Sequence, residues 1–194
     1  MQCKEDMIFA LALQVFSHVS NVYDRVLKLP LTTPEKILAT ALICPSKVQV
    51  YPFDSQLEIF VSNEYTLKRA SLMWNERMAH ANGRCQQAFR NVIDNAALSG
   101  ELMLVGEHEN HAQDLYLGAW AIVAGFKQVQ RATQYSSQLQ GPTDETSTHD
   151  SAVELNSPLV NNIQRLLNSY DWEQPLTDVG IQKSHDLLVK EGFR

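Results

Sequence analysis

Apolar positions set a helical pattern from the start of the chain. Ile8, Leu11, Val15, Val19, Val22, Val26 and Leu29 recur at spacings of three and four, with Phe9, Leu13, Phe16, Tyr23 and Leu27 in a second row beside them. Two adjacent rows predict a helix over about 4–28 that is apolar around much of its circumference and largely buried. At 1.5 Å per residue it would be roughly 37 Å long. Pro30 ends it.

A second helix is predicted from Thr33 as N-cap, with Pro34 in the favoured first position. Ile37, Leu38, Ala41, Leu42, Cys44 and Val48 form its apolar side. Pro45 falls inside that pattern, removes a backbone hydrogen bond and predicts a kink. Tyr51–Pro52 reads as a turn before a short helix to about Val61, and "EYTLKRAS" reads as a further helical turn. A long helix follows over about 74–99, with Met78, Ala81, Cys85, Ala88, Val92 and Ala96 in a narrow stripe and Phe89 and Ile93 alongside. Gly83 in its middle costs about 1 kcal/mol relative to Ala, which predicts a close backbone approach there. Gly100 is a C-cap signal.

Asn110, with Gln113 three residues on, predicts the start of a helix over 111–132 whose centre is apolar on all sides. Such a helix is either the deep centre of a domain or shared between two subunits, and Gly118 and Gly125 lie one heptad apart in it. Residues 133–156 lose all periodicity and are rich in Ser, Thr, Gln and Asp, which predicts a mobile loop. Ser157–Pro158 opens another helix carrying Leu159, Ile163, Leu166, Leu167 and Tyr170 on one face, and a last helix over about 178–191 buries Ile181, Leu187 and Leu188. No strand is predicted. The expectation is one all-α domain over 1–194, an antiparallel bundle of about eight helices.

Composition narrows the function. At 194 residues, with 44% hydrophobic and 20% charged, the chain can bury a sizeable core. A net charge of −6 disfavours direct nucleic-acid binding, which needs cationic side chains to neutralise phosphates. Three cysteines without paired short spacing argue against a disulfide framework or a zinc ribbon and fit a reducing cytoplasm. Glu5 and Asp6 do not suit a signal peptide, and the longest uncharged apolar run, 115–126, is too short to span a bilayer, so no membrane association is expected.

Candidate chemistry is sparse. "GEHENHAQD" gathers Glu107, His108, Glu109, His111 and Asp114, but without a strict ligand motif it reads as an acidic first helical turn favoured by the helix dipole. The His149–Asp150 and His185–Asp186 pairs lack the partner ligands that a helical phosphohydrolase needs. No phosphate-cradling loop, nucleophile elbow or catalytic triad spacing appears, so neither enzymatic activity nor a metal or cofactor is expected. His18 stands apart, placed on the apolar stripe of the first helix between Val15 and Val22. There it reads either as a core histidine or as a polar group in an apolar cavity. The predicted Pro45 kink could open such a cavity, with Val22, Leu42, Cys44, Tyr51, Trp74, Met78 and Cys85 as lining.

Taken in order, these segments resemble the C-terminal regulatory domain of TetR/AcrR-family transcriptional repressors. Cys3–Lys4–Glu5 followed by "DMIFALAL" is similar to the junction at which the family's DNA-binding head meets its linker helix. "PEKILATALICPSKVQVYPFDSQL", "CQQAFRNVIDNAALSGEL", "DLYLGAWAIVAGF" and "NNIQRLLNSYDWEQPL" resemble the family's fifth and sixth helices, the end of the seventh, the eighth and the ninth. The resemblance covers nearly the whole chain but includes no helix-turn-helix, so it implies a regulatory body without a reading head. It also implies a small, largely apolar effector bound between the linker helix and the middle helices, and a homodimer. The interface is expected to use Gly118, Trp120, Ile122, Gly125, Phe126, Leu159, Ile163, Leu166 and Tyr170. The rival expectation is a structural helical dimer or adaptor with no ligand.

Overall fold

A computed structural model describes residues 3–103, 111–138 and 152–194. Their order is α1 (Lys4–Leu27), α2 (Thr33–Leu42), α3 (Pro45–Val48), α4 (Asp54–Ser62), α5 (Glu64–Arg69), α6 (Leu72–Ser99), β1 (Leu102–Met103), α7 (His111–Gln138), α8 (Pro158–Leu167), β2 (Asp171–Trp172) and α9 (Asp178–Lys190). The fold is all-α. Among the described residues there are nine helices rather than about eight, because the expected second helix divides, and the expected absence of strands is corrected by one antiparallel pair, Leu102 opposite Trp172 and Met103 opposite Asp171.

The division of the second helix corrects the predicted kink. Ile43 and Cys44 leave the helical region, with ψ 132° and 130°, and Pro45 opens α3 at its first position. A residue before proline is crowded out of the α region, so the helix stops rather than bends. Arg194 Nη1 donates to the Leu42 carbonyl at 3.1 Å and the Cys44 N–H donates to Phe193 O at 3.0 Å, so the end of the chain satisfies the groups that the break exposes.

At the start of α2 the N-cap is Thr32, one residue before the expected Thr33. Glu35 Oε2 accepts the Thr32 N–H at 2.9 Å and the Lys183 ammonium at 2.8 Å. Glu101 accepts the Thr33 N–H at 2.6 Å and its hydroxyl at 2.7 Å. Two carboxylates from distant parts of the chain thus meet the positive end of one helix.

The core has two parts. The larger joins Val22 and Val26 of α1 to α2, the C-terminal part of α6, α7, α8 and α9, with Leu38, Leu42, Leu115, Val160, Leu167 and Leu188 fully buried. The smaller joins Phe9 and Ala12 of α1 to Leu57 and Val61 of α4, Ala70 of the α5–α6 link and Met78 near the start of α6. α1 and α6 run through both and pack on each other more extensively than any other pair. The buried line of α1 passes through Phe9, Ala12 and Val26, so the two rows predicted for it share the burial.

Other expectations change locally. α6 begins at Leu72, and Gly100 ends it with a φ of 82°, a conformation that glycine adopts freely. Gly83 is exposed with no atom within 4 Å of a Cβ built there, so the expected close approach is absent and the glycine only weakens the helix. α7 continues to Gln138, so 133–138 is helical rather than loop, and Val153 and Leu155 pack on the larger core. Residues 139–151 of the expected mobile loop, with His149–Asp150, lie outside the described residues, as do Asn110, Glu107, His108 and Glu109. Among the described residues, no helix is long and apolar enough to cross a membrane, and no group of three or more His, Cys, Asp or Glu is arranged to hold a metal ion.

Candidate functional site

The predicted pocket residues do not converge. His18 is exposed, with Nε2 3.0 Å from the Lys47 carbonyl, which corrects its placement on the buried stripe: it lies on the flank of α1. Val22 and Leu42 are packed into the larger core. Cys44 is half-buried in the α2–α3 link, with Sγ 3.1 Å from Ser46 Oγ. Tyr51 and Trp74 lie against the smaller core, where the Tyr51 hydroxyl donates to Gln14 Oε1 at 2.5 Å. Cys85 stands elsewhere, beside Ser20, and burial pushes its thiol above the ordinary value. Tyr23 and Tyr116, flanking Phe89 with ring centroids 5.9 and 5.4 Å away, are pushed up by burial as well.

A groove of about 530 Å3 opens instead between α1, α4, α5 and the first half of α6. Its walls are Phe16, Val61, Leu67, Met78 and Ala79, with Ser62, Asn75 and Asn82 as polar lining and Glu64 and Lys68 at its rim. The volume lies within the range of small-molecule sites, about 300–1,000 Å3. Met78 is the one predicted pocket residue that lines it. The rim charges bridge each other at 2.5 Å, both highly exposed.

Asn75 gives the groove its polarity. Its Nδ2 donates to Leu67 O at 3.0 Å and to Ala70 O at 3.3 Å, so both amide protons staple the α5–α6 turn. This fixes the carboxamide orientation, because a flip would set Oδ1 against two carbonyls. Oδ1 is left buried and without a hydrogen-bond partner. Neighbouring Trp74 buries an unpartnered Nε1, its ring under the Arg77 guanidinium at 4.9 Å. Ser62 Oγ donates to Glu58 O at 2.7 Å and so keeps only acceptor capacity. Sequence reasoning passed over Asn75 and Asn82, although Asn75, Met78, Ala79 and Asn82 follow the spacing of a single helix face.

The predicted interface residues divide into inner and outer sets. Leu159 and Ile163 are 2% and 1% exposed inside the chain's own core, so they are not available to a second copy. A Cβ on Gly118 would lie 3.1 Å from Leu166 Cδ2, so this glycine lets α7 approach its own α8. Ile122, Phe126, Leu166 and Tyr170 are half-buried against the larger core. Trp120 is 56% exposed and Leu117 41%, neighbours on one face of a helix against which α6 and α8 pack, while Val129, 66% exposed, lies nine residues beyond Trp120 and so on the opposite face. Gly125 has nothing within 4 Å of a built Cβ.

Compared with known proteins, the chain matches no family model, no curated protein and no solved structure.

Proposed function

We propose that this chain is a regulatory body of the kind found in TetR/AcrR-type repressors: a homodimer that binds a small, largely apolar effector and does not itself contact nucleic acid. The observation that carries the reading is the outward row of α7. Leu117 and Trp120 face solvent from one side of a helix on which α6 and α8 also pack, and the small side chains of Ala121 and Ala124 follow on the same face, leaving room for a second helix. A symmetric pairing would bring the same row of two copies together and withdraw the tryptophans from water. Leu166 and Tyr170 of the α8 region are half-buried against the larger core. The groove supplies a place of effector size on a different part of the molecule.

A specific observation favours the rival, a structural dimer without a ligand: of the residues expected to line one cavity, Val22 and Leu42 belong to the larger core, Tyr51, Trp74 and Met78 to the smaller, and His18, Cys44 and Cys85 to neither. A thermal-shift screen with a broad library of apolar, drug-sized compounds separates the readings. The effector-binding reading expects compounds that raise the melting temperature, since a ligand at a hundred times its dissociation constant stabilises the folded state by about 2.7 kcal/mol. A dimer that no compound stabilises would favour the rival.

A further inference from the structure

We infer that the groove between α1, α4, α5 and α6 is the effector site, and that it selects an apolar molecule bearing an N–H donor, an amine or an amide, over a carboxylate. The inference rests on the effector-binding reading above and gives it a location and a chemistry. The walls Phe16, Val61, Leu67, Met78 and Ala79 offer hydrocarbon to an apolar body. Of the polar groups among them, Asn82 can donate or accept, while Asn75 and Ser62 are short of donors. Asn75 has spent both amide protons on the α5–α6 turn and buries an unpaired Oδ1. Ser62 has spent its hydroxyl proton on Glu58 O. Lys68, the cation at the rim, is paired with Glu64.

An N–H donor satisfies the orphan acceptor, whereas a carboxylate would meet acceptors at Asn75 and Ser62 and leave Asn75 Oδ1 unpaired. Oδ1 is covered by neighbouring atoms in this structure, so the donor reaches it by displacing a wall side chain. A ligand held there would touch the same amide that staples the α5–α6 turn.

The test uses two probes of one skeleton, phenylbutylamine and phenylbutyric acid, titrated into the whole chain by calorimetry. The amine is expected to bind at least tenfold more tightly than the acid. Ala79→Phe fills the groove from an exposed position, and it is expected to weaken amine binding at least tenfold while leaving the unliganded melting temperature within a few degrees. Leu98→Phe, on the same helix but outside the groove, is expected to change nothing. Asn75→Leu is expected to erase the preference for the amine. Because it also loosens the turn, the comparison is made between the two probes on the same variant. Equal binding of amine and acid would overturn the ligand class, and amine binding unaffected by Ala79→Phe would overturn the location. Failure of both probes would overturn the inference, and the effector reading itself would then fall only if the broad apolar library were silent too.

Discussion

The Asp6 carboxylate of α1 accepts the backbone N–H of Ser71, the N-cap of α6, at 2.9 Å. Ser71 forms no side-chain cap of its own, so a residue 65 positions away does the work of a capping box. Asp6 is 1% exposed. Removing its carboxylate leaves a buried donor unpaired and takes a negative charge from the positive end of a long helix. Asp6→Ala is expected to lower stability by about 2 kcal/mol, and Ser71→Ala to change it little, in urea denaturation monitored by circular dichroism.

Glu5, next to it, bridges to Arg69 Nε at 2.8 Å. A hydrogen bond with its own backbone, aided by the Cys3 thiol and the Arg69 guanidinium, holds its carboxyl below the ordinary value of 4.5 against the opposing effect of burial. A carboxyl with a lowered folded-state value contributes stability above its unfolded value and loses it as pH falls through the folded one. Glu5→Gln is therefore expected to be less stable than the native chain at pH 7. The difference should shrink below about pH 4.5 and vanish once the native carboxyl is protonated, as read from melting temperatures across that range.

The two glycines of the long helices should respond in opposite directions. Gly83→Ala meets open space on an exposed helix and is expected to stabilise by about 1 kcal/mol. Gly118→Val places its branched carbons against Leu166 and is expected to cost about 1–3 kcal/mol by overpacking. Denaturant midpoints of the two variants check both signs.

Net charge −6 leads to a further expectation. The purified chain should show no sequence-dependent retardation of duplex DNA, because phosphate neutralisation needs a cationic surface. Salt-resistant retardation of one sequence and not another would contradict it.

The helices were legible because their signals are local. The rows of α1, the threonines before Pro34, Gly100 at the end of α6 and Ser157–Pro158 at the start of α8 each announce themselves within a few residues. Pro45 was ambiguous, since an apolar pattern running through a proline fits a kinked helix or two helices, and the groups Phe193 and Arg194 bring from the far end of the chain help to hold the second outcome. The buried roles of Glu5 and Asp6 were hidden for the same reason: their partners, Arg69 and Ser71, are more than sixty positions away. The groove was not legible, because Asn75 and Asn82 fall outside the apolar stripe of α6. What marks it is an asparagine whose donors are consumed by a turn, a fact about geometry that no spacing carries. His18 misled because a broad apolar helix has flanks, and on a flank a polar residue can reach solvent.

The central claim is that the outward row of α7 is where two copies meet. Sedimentation velocity of the native chain and of Trp120→Glu at micromolar concentration tests it most directly. An obligate interface of this kind buries upward of about 2,000 Å2 in total, and a charge at its centre is not tolerated. The native chain is expected to sediment at twice its 21.9 kDa mass, and Trp120→Glu, whose exposed position leaves the monomer fold intact, at 21.9 kDa. A native chain that sediments as a sharp 21.9 kDa monomer, or a Trp120→Glu variant that remains a dimer, would contradict the account.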